Sequence, residues 1–144
     1  VDDEAFLNAF ETGAWPLADW HHREHIKVAY LYLRRYGFDE AMDRLRDRIK
    51  AYNAAHDVPD APLSGYHETM TGAWLRLVYF TLRDRGAKET ADAFYEDNPQ
   101  LWERRVLRLF YSTERFLSPE AKAQYLEADV TPLPRCREER ENLD

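Results

Sequence analysis

Five histidines lie in this chain, and four of them fall in two short segments. Trp20-His21-His22-Arg23-Glu24-His25 carries three, and Tyr66-His67-Glu68 carries one. His22 and His25 stand three residues apart, the spacing that puts two side chains on one side of an α-helix. Neutral imidazole is the commonest metal ligand among side chains. Three protein nitrogens leave coordination positions open, as a catalytic metal requires. The pattern therefore predicts a mononuclear site of His22, His25 and His67 holding one transition-metal ion, Fe, Cu or Zn. All-nitrogen ligation suits each of these metals, so the residue types do not choose among them. Glu68 is a candidate fourth ligand or general base. Tyr66 and Thr71 are candidates to line the same site. Each has a plainer reading: Glu68 as a first-turn acid complementing the helix dipole, Thr71 as a packing residue, and Tyr66 as core.

The elements that must position these residues read as helices. A wheel at about 100° per residue with His22 at zero puts Ala29 and Leu33 within about 20°, Ile26 near 40° and His25 near −60°. Arg23, Glu24, Lys27, Arg34 and Arg35 take the opposite arc, where Leu31 fits poorly, and His21 sits at the edge of the apolar face. With His67 at zero, Val78 and Trp74 fall within about 20°, Thr71 near 40° and Leu82 near 60°. Arg76, Arg83 and Thr69 take the far side. Three histidines then point inward from two helices, near both N-terminal ends. The ends meet if the two helices run parallel. Buried polar groups cost roughly 1–3 kcal/mol each unless hydrogen-bonded, so three of them argue for a shared purpose. A metal-free acid–base pocket and ordinary, separately satisfied core histidines are the competing readings.

Two stretches resemble segments of a known family. Residues 20–29, with Trp20, His22, His25, Ile26 and Ala29, resemble a Phe-x-His-x-x-His-Leu-x-x-Ala segment. Tyr66, His67, Thr69 and Thr71 resemble a Tyr-His-x-Thr-x-Thr segment. Phe110-Tyr111-Ser112, Ser118-Pro119-Glu120-Ala121 and Leu133-Pro134 resemble the same family's C-terminal part. The family is a set of small, largely uncharacterised bacterial helical proteins. The resemblance runs from about residue 20 to residue 134. It implies His22, His25 and His67 as motif positions, with His21 at a variable one, and it brings no activity with it.

The rest of the chain is punctuated as a helical protein. Helices are expected over about 2–12, from 19 or 20 to 37, from just after an Asp39 cap to about 55, and from Tyr66, capped by Ser64, to 85. A short one follows over about 88–95. Asn98-Pro99 and Ser118-Pro119-Glu120 are cap-and-proline start signals. The first of these opens a helix carrying Leu101, Trp102, Val106, Leu109 and Phe110. Gly72 alone among the five glycines lies inside a helical segment. Twenty aromatic residues (four Trp, nine Tyr, seven Phe) make core duty the default for any one of them, Tyr111 included. The expected fold class is all-α, a single-domain bundle of six to seven helices over residues 1–134. Residues 130–134 form an extended C-terminal strap, and a charged tail covers 135–144.

Composition narrows the partners. The net charge is −7, which disfavours a non-specific nucleic-acid binder. The longest apolar run covers only residues 28–33, too short to cross a bilayer. The acidic opening residues do not resemble a signal peptide. One cysteine, Cys136, excludes a disulfide framework and a thiolate cluster. Cytoplasmic placement follows as the expectation. No dinucleotide, P-loop or nucleophile-elbow motif occurs, and His56 is expected at the surface. The expected function is a metal-dependent enzyme acting on a small organic substrate, with oxidative Fe or Cu chemistry slightly preferred over Zn hydrolysis. The alternative is a helical protein that binds a small ligand or metal without turning it over.

Overall fold

Side-chain caps start most of the described helices. In the computed structural model, which describes residues 1–134, helix α1 spans Asp3–Glu11 and the Asp2 carboxylate accepts the Ala5 N–H at 2.8 Å. A 3-10 turn at Leu17–Asp19 leads into α2, His22–Arg35. Helices α3, Phe38–Ala55, and α4, Glu68–Arg85, follow, and α5 covers Ala91–Glu96. Two 3-10 turns, Pro99–Leu101 and Arg104–Leu109, precede the short helices α6, Thr113–Phe116, and α7, Pro119–Ala123. Among the described residues the only β pairing is an isolated bridge between Ala61 and Ser64. The fold is all-α with one core, and none of the helices is long and apolar enough to cross a membrane. The tail expected at 135–144, with Cys136, lies outside the described residues.

Helix α2 runs through the middle, packed by α3, α4 and α5. Its expected apolar face is buried at Ile26, Ala29 and Leu33. The opposite arc is covered as well. Tyr30 stacks on Phe94 of α5 with ring centroids 4.2 Å apart. Lys27 is only 6% exposed; its ammonium lies 4.2 Å from the Phe6 ring centre and 3.1 Å from the Asp92 carboxylate. A wheel sees a charged residue and predicts solvent. The aliphatic stem and a supplied counter-charge make burial tolerable.

Helix α4 is likewise covered on its predicted polar side, by α7 and the chain that follows it. Thr69 is fully buried there. Its hydroxyl donates to the Gln124 carbonyl at 2.8 Å and accepts the Leu126 N–H at 3.0 Å. Tyr125, between those two residues, packs onto Gly72, where a Cβ would stand 2.8 Å from its Cδ1. Gly72 is thus a point of close approach. The Arg76 guanidinium lies 3.8 Å from the same ring's centre. Residues 124–134 form no strand and bend over 129–131, where the Val130 N–H donates to the Phe110 carbonyl at 2.8 Å, and no regular structure marks the strap expected at 130–134.

Three expected boundaries differ. Gly37, not Asp39, caps α3, and Asp39 lies in its first turn. His67, not Ser64, caps α4; the Ser64 hydroxyl donates to the Pro59 carbonyl instead. The helix expected from Pro99 onward breaks at Glu103, whose backbone is extended. An unbroken α-helix would give the Leu101 carbonyl the Arg105 N–H. Here that carbonyl accepts from the His22 ring at 2.7 Å, and the Arg105 N–H donates to the Glu103 carboxylate at 3.1 Å.

Candidate functional site

The start of α2 builds the site. His21 is the cap residue, with an extended backbone, and its N–H donates to the Glu24 carboxylate at 2.9 Å. His22 is the first helical residue, and His25 follows one turn later. His22 Nε2 lies 2.7 Å from the Leu101 carbonyl, and His25 Nδ1 lies 2.9 Å from the His21 carbonyl. A carbonyl only accepts, so these two nitrogens carry the protons. That assignment leaves His22 Nδ1 and His25 Nε2 as lone-pair nitrogens. Aromatic rings flank both. His22 meets Trp74 of α4 edge-on at 4.6 Å, and His25 lies 4.1 Å from Trp20.

Burial keeps both rings neutral. It pushes His25 down to about 4, against the opposing pull of the His21 carbonyl, and the neighbouring Arg104 charge adds to the fall. Burial also lowers His22, partly offset by the Leu101 carbonyl. Both imidazoles therefore enter neutral solution unprotonated, as a base or a ligand must.

The two rings line one cavity of about 370 Å³ between the N-terminal halves of α2 and α4. Trp20, Ile26, Met70, Trp74 and Leu75 supply most of its apolar wall. No carboxylate lines it, and Arg104 is the one residue there with a permanent charge. His21 and Thr71 reach it too. The parallel arrangement that a shared site requires is met at these helix starts.

His67 is placed differently. As the cap of α4 it has φ −132° and ψ 111°, outside helical values. Its Nδ1 accepts the Met70 N–H at 3.0 Å, and its Nε2 donates to the Phe116 carbonyl at 2.9 Å. The ring stacks on Phe116 with centroids 4.7 Å apart. Both nitrogens are thus occupied, and the ring does not line the His22–His25 cavity. The wheel misplaces it because a cap residue does not share the helix's 100° rotation. Among the described residues, no group of three or more His, Cys, Asp and Glu side chains is arranged to hold a metal ion.

Glu68 and Tyr66 belong to a second cavity of about 610 Å³, with Arg46, Lys50 and Lys122. Arg46 grips Glu68 in a fork, Nε to Oε1 at 2.9 Å and Nη2 to Oε2 at 2.7 Å, and the Tyr66 hydroxyl donates to Oε1 at 2.7 Å. Burial raises the Glu68 carboxyl, but the Arg46 and Tyr66 hydrogen bonds outweigh it and hold the group below its ordinary range. So bound, Glu68 is a poor base. Thr71, inside the first cavity, donates its hydroxyl back to the His67 carbonyl at 2.9 Å. His22, His25 and Thr71 thus line one cavity that His67, Tyr66 and Glu68 do not line, with Thr71 hydrogen-bonded to both the His67 carbonyl and the Tyr66 side chain. His56 is half-buried, with Nε2 2.8 Å from the Gly13 carbonyl.

Glu68→Gln is expected to lower stability by about 1–2 kcal/mol, since Arg46 loses its ionic partner in a half-buried place. The native carboxylate's contribution is complete above the usual carboxylate range and fades as pH falls through its depressed value. Urea titrations at pH 7 and pH 3.5 check this: the gap between Glu68→Gln and wild type should narrow at the lower pH.

Sequence reasoning did not single out Trp20, Trp74 or Arg104 as site residues. The two tryptophans were readable as flanking aromatics. Arg104 had no local signal, because the broken helix brings it to the cavity. Comparison with protein-family models, with curated proteins and with solved structures yields no match.

Proposed function

We propose that this chain binds a small organic molecule between Trp20 and Trp74 and acts on it by proton transfer, His22 Nδ1 and His25 Nε2 serving as bases. One observation carries the reading. Two neutral imidazoles, each with its N–H anchored on a backbone carbonyl, line one apolar cavity that has no carboxylate. A preset tautomer fixes which nitrogen takes the proton, and the dry wall strengthens any hydrogen bond made there. Cavities of this size and lining suit ligands of one or two rings.

The test is a screen of ¹⁵N-labelled protein against small aromatic and aliphatic compounds. Ligands should shift the Trp20 and Trp74 indole signals together with the non-protonated nitrogens of His22 and His25. His22→Ala and His25→Ala should abolish the response. Ligands that collect elsewhere, or that leave both rings unmoved, would defeat the proposal.

A second reading has its own support. An imidazole whose far N–H is held by a backbone carbonyl is the usual outer-shell arrangement of a metal-bound histidine. His22 and His25 would then hold a transition metal, Fe, Cu or Zn, with more open positions than a three-histidine site. Such a metal would supply redox chemistry or an acidified water. An X-ray fluorescence scan of untagged protein decides: metal lost in His22→Ala and kept in His67→Ala supports two ligands. Loss in both variants would restore the three-histidine site, and no bound metal in wild type would remove the reading.

A further inference from the structure

The segment that breaks after Leu101 carries Arg104, Arg105 and Arg108, all exposed, within five positions. They line a cavity of about 440 Å³ whose walls include Leu107, Tyr111 and Phe116. Met70, Trp74 and Arg104 line this cavity and the histidine cavity alike, so the two abut. One end of the combined space is walled by aromatic and histidine rings; at the other, three arginines outnumber a single lining carboxylate, that of Glu103.

The cationic end is unusual for this protein. The chain is acidic overall, at −7. Four of its other arginines pair with acids, Arg23 with Asp92, Arg35 with Glu4, Arg44 with Glu40 and Arg46 with Glu68, while Arg34, Arg48, Arg83 and Arg115 bond to hydroxyl or backbone oxygens. Among the described residues, no acidic side chain forms an ion pair with Arg104, Arg105 or Arg108. Glu103, the nearest acid in sequence, turns its carboxylate to the Arg105 backbone N–H. Three like charges crowded beside an apolar cavity repel one another, and an anion bound among them relieves the repulsion. Guanidinium groups suit carboxylate and phosphate oxygens, with two parallel hydrogen bonds from one group.

Resting on the cavity reading above, we infer that its ligand is an amphiphilic organic oxyanion. The apolar body lies between Trp20 and Trp74, and a carboxylate or phosphate group is held by Arg104 with Arg105 and Arg108. His22 and His25 then face the ligand's body rather than its charged head. The anion is the recognition handle, and the atoms nearest the imidazoles are where chemistry occurs.

Three probes of one shape test this by calorimetry: 2-naphthoate, 2-naphthyl phosphate and the neutral 2-naphthalenemethanol. At low salt at least one anion should bind about tenfold or more tightly than the alcohol. Arg104→Ala and Arg108→Ala should each erase that advantage. Raising salt to 0.5 M should weaken the anions alone. An advantage confined to the phosphate, or to the carboxylate, identifies the head group and supports the inference. Equal binding of acid and alcohol, or an anion preference that survives both arginine substitutions, overturns it while leaving the cavity reading intact. Alcohol binding that His22→Ala leaves unaffected defeats the cavity reading instead. Failure of all three probes to bind at millimolar concentration overturns both.

Discussion

Acidification from pH 7 to pH 4.5 should lower the stability of this protein by roughly 2 kcal/mol through His25 alone. Burial holds the folded His25 at about 4, well below the ordinary histidine value of 6.5. Between those two values the unfolded chain binds a proton that the folded chain refuses. Unfolding is therefore favoured more with each step down in pH, and stability rises again as pH climbs through the same window. Above 6.5 neither state is protonated and the effect vanishes. His22 and His67 are lowered by burial too and push in the same direction. Urea midpoints at the two pH values measure the loss. His25→Asn places an amide near the position of Nδ1 and cannot titrate, so its pH dependence should be visibly flatter. An unchanged slope in that variant would mean that His25 is not held neutral by the fold.

The second large effect concerns the clamp on α4. Thr69→Val preserves the shape of a fully buried side chain and removes its hydroxyl. The Gln124 carbonyl and the Leu126 N–H both lose their partner, and we expect a loss of about 2–4 kcal/mol. Gly72→Ala acts on the same place from the other side. Helix propensity alone would make alanine better by up to about 1 kcal/mol. The new methyl would stand 2.8 Å from the Tyr125 ring, and that ring is tethered on both flanks. Overpacking should win, with a net loss of about 1–2 kcal/mol. Either change loosens the segment around Tyr125, so the double variant should lose less than the two singles added together. Strict additivity in a double-mutant cycle would show that Thr69 and Gly72 do not act on one clamp.

These residues also mark how far the amino-acid order could be read. The inner face of α2 is buried at Ile26, Ala29 and Leu33 as its spacing predicts, and Phe6, Leu7 and Phe10 of α1 and Leu45, Ile49 and Tyr52 of α3 are buried at helical spacing too. His22, His25 and Thr71 were legible as inward-facing because they lie inside regular helix. His67 was not, since a two-residue shift of the helix start, from Tyr66 to Glu68, turned a wheel position into a cap. Lys27 and Thr69 were assigned to solvent because a wheel knows only its own helix. It cannot see that α5 covers one and residues 124–126 the other. Arg104 reached the cavity through a break that depends on a hydrogen bond from a ring distant in sequence. Periodicity is local physics, and Lys27, Thr69 and Arg104 were missed where a remote segment supplied the deciding partner.

The hydrogen bond between His22 and Leu101 works as a latch. A peptide oxygen that would normally stay within its own coil turn is engaged by another helix's first side chain. Rotating the neutral ring to exchange its two nitrogens would turn a lone pair toward the oxygen and strand it, so the catch fixes which nitrogen of the unprotonated ring is left bare. On the proton-transfer reading, the arginine-bearing segment thereby sets the tautomer of the base.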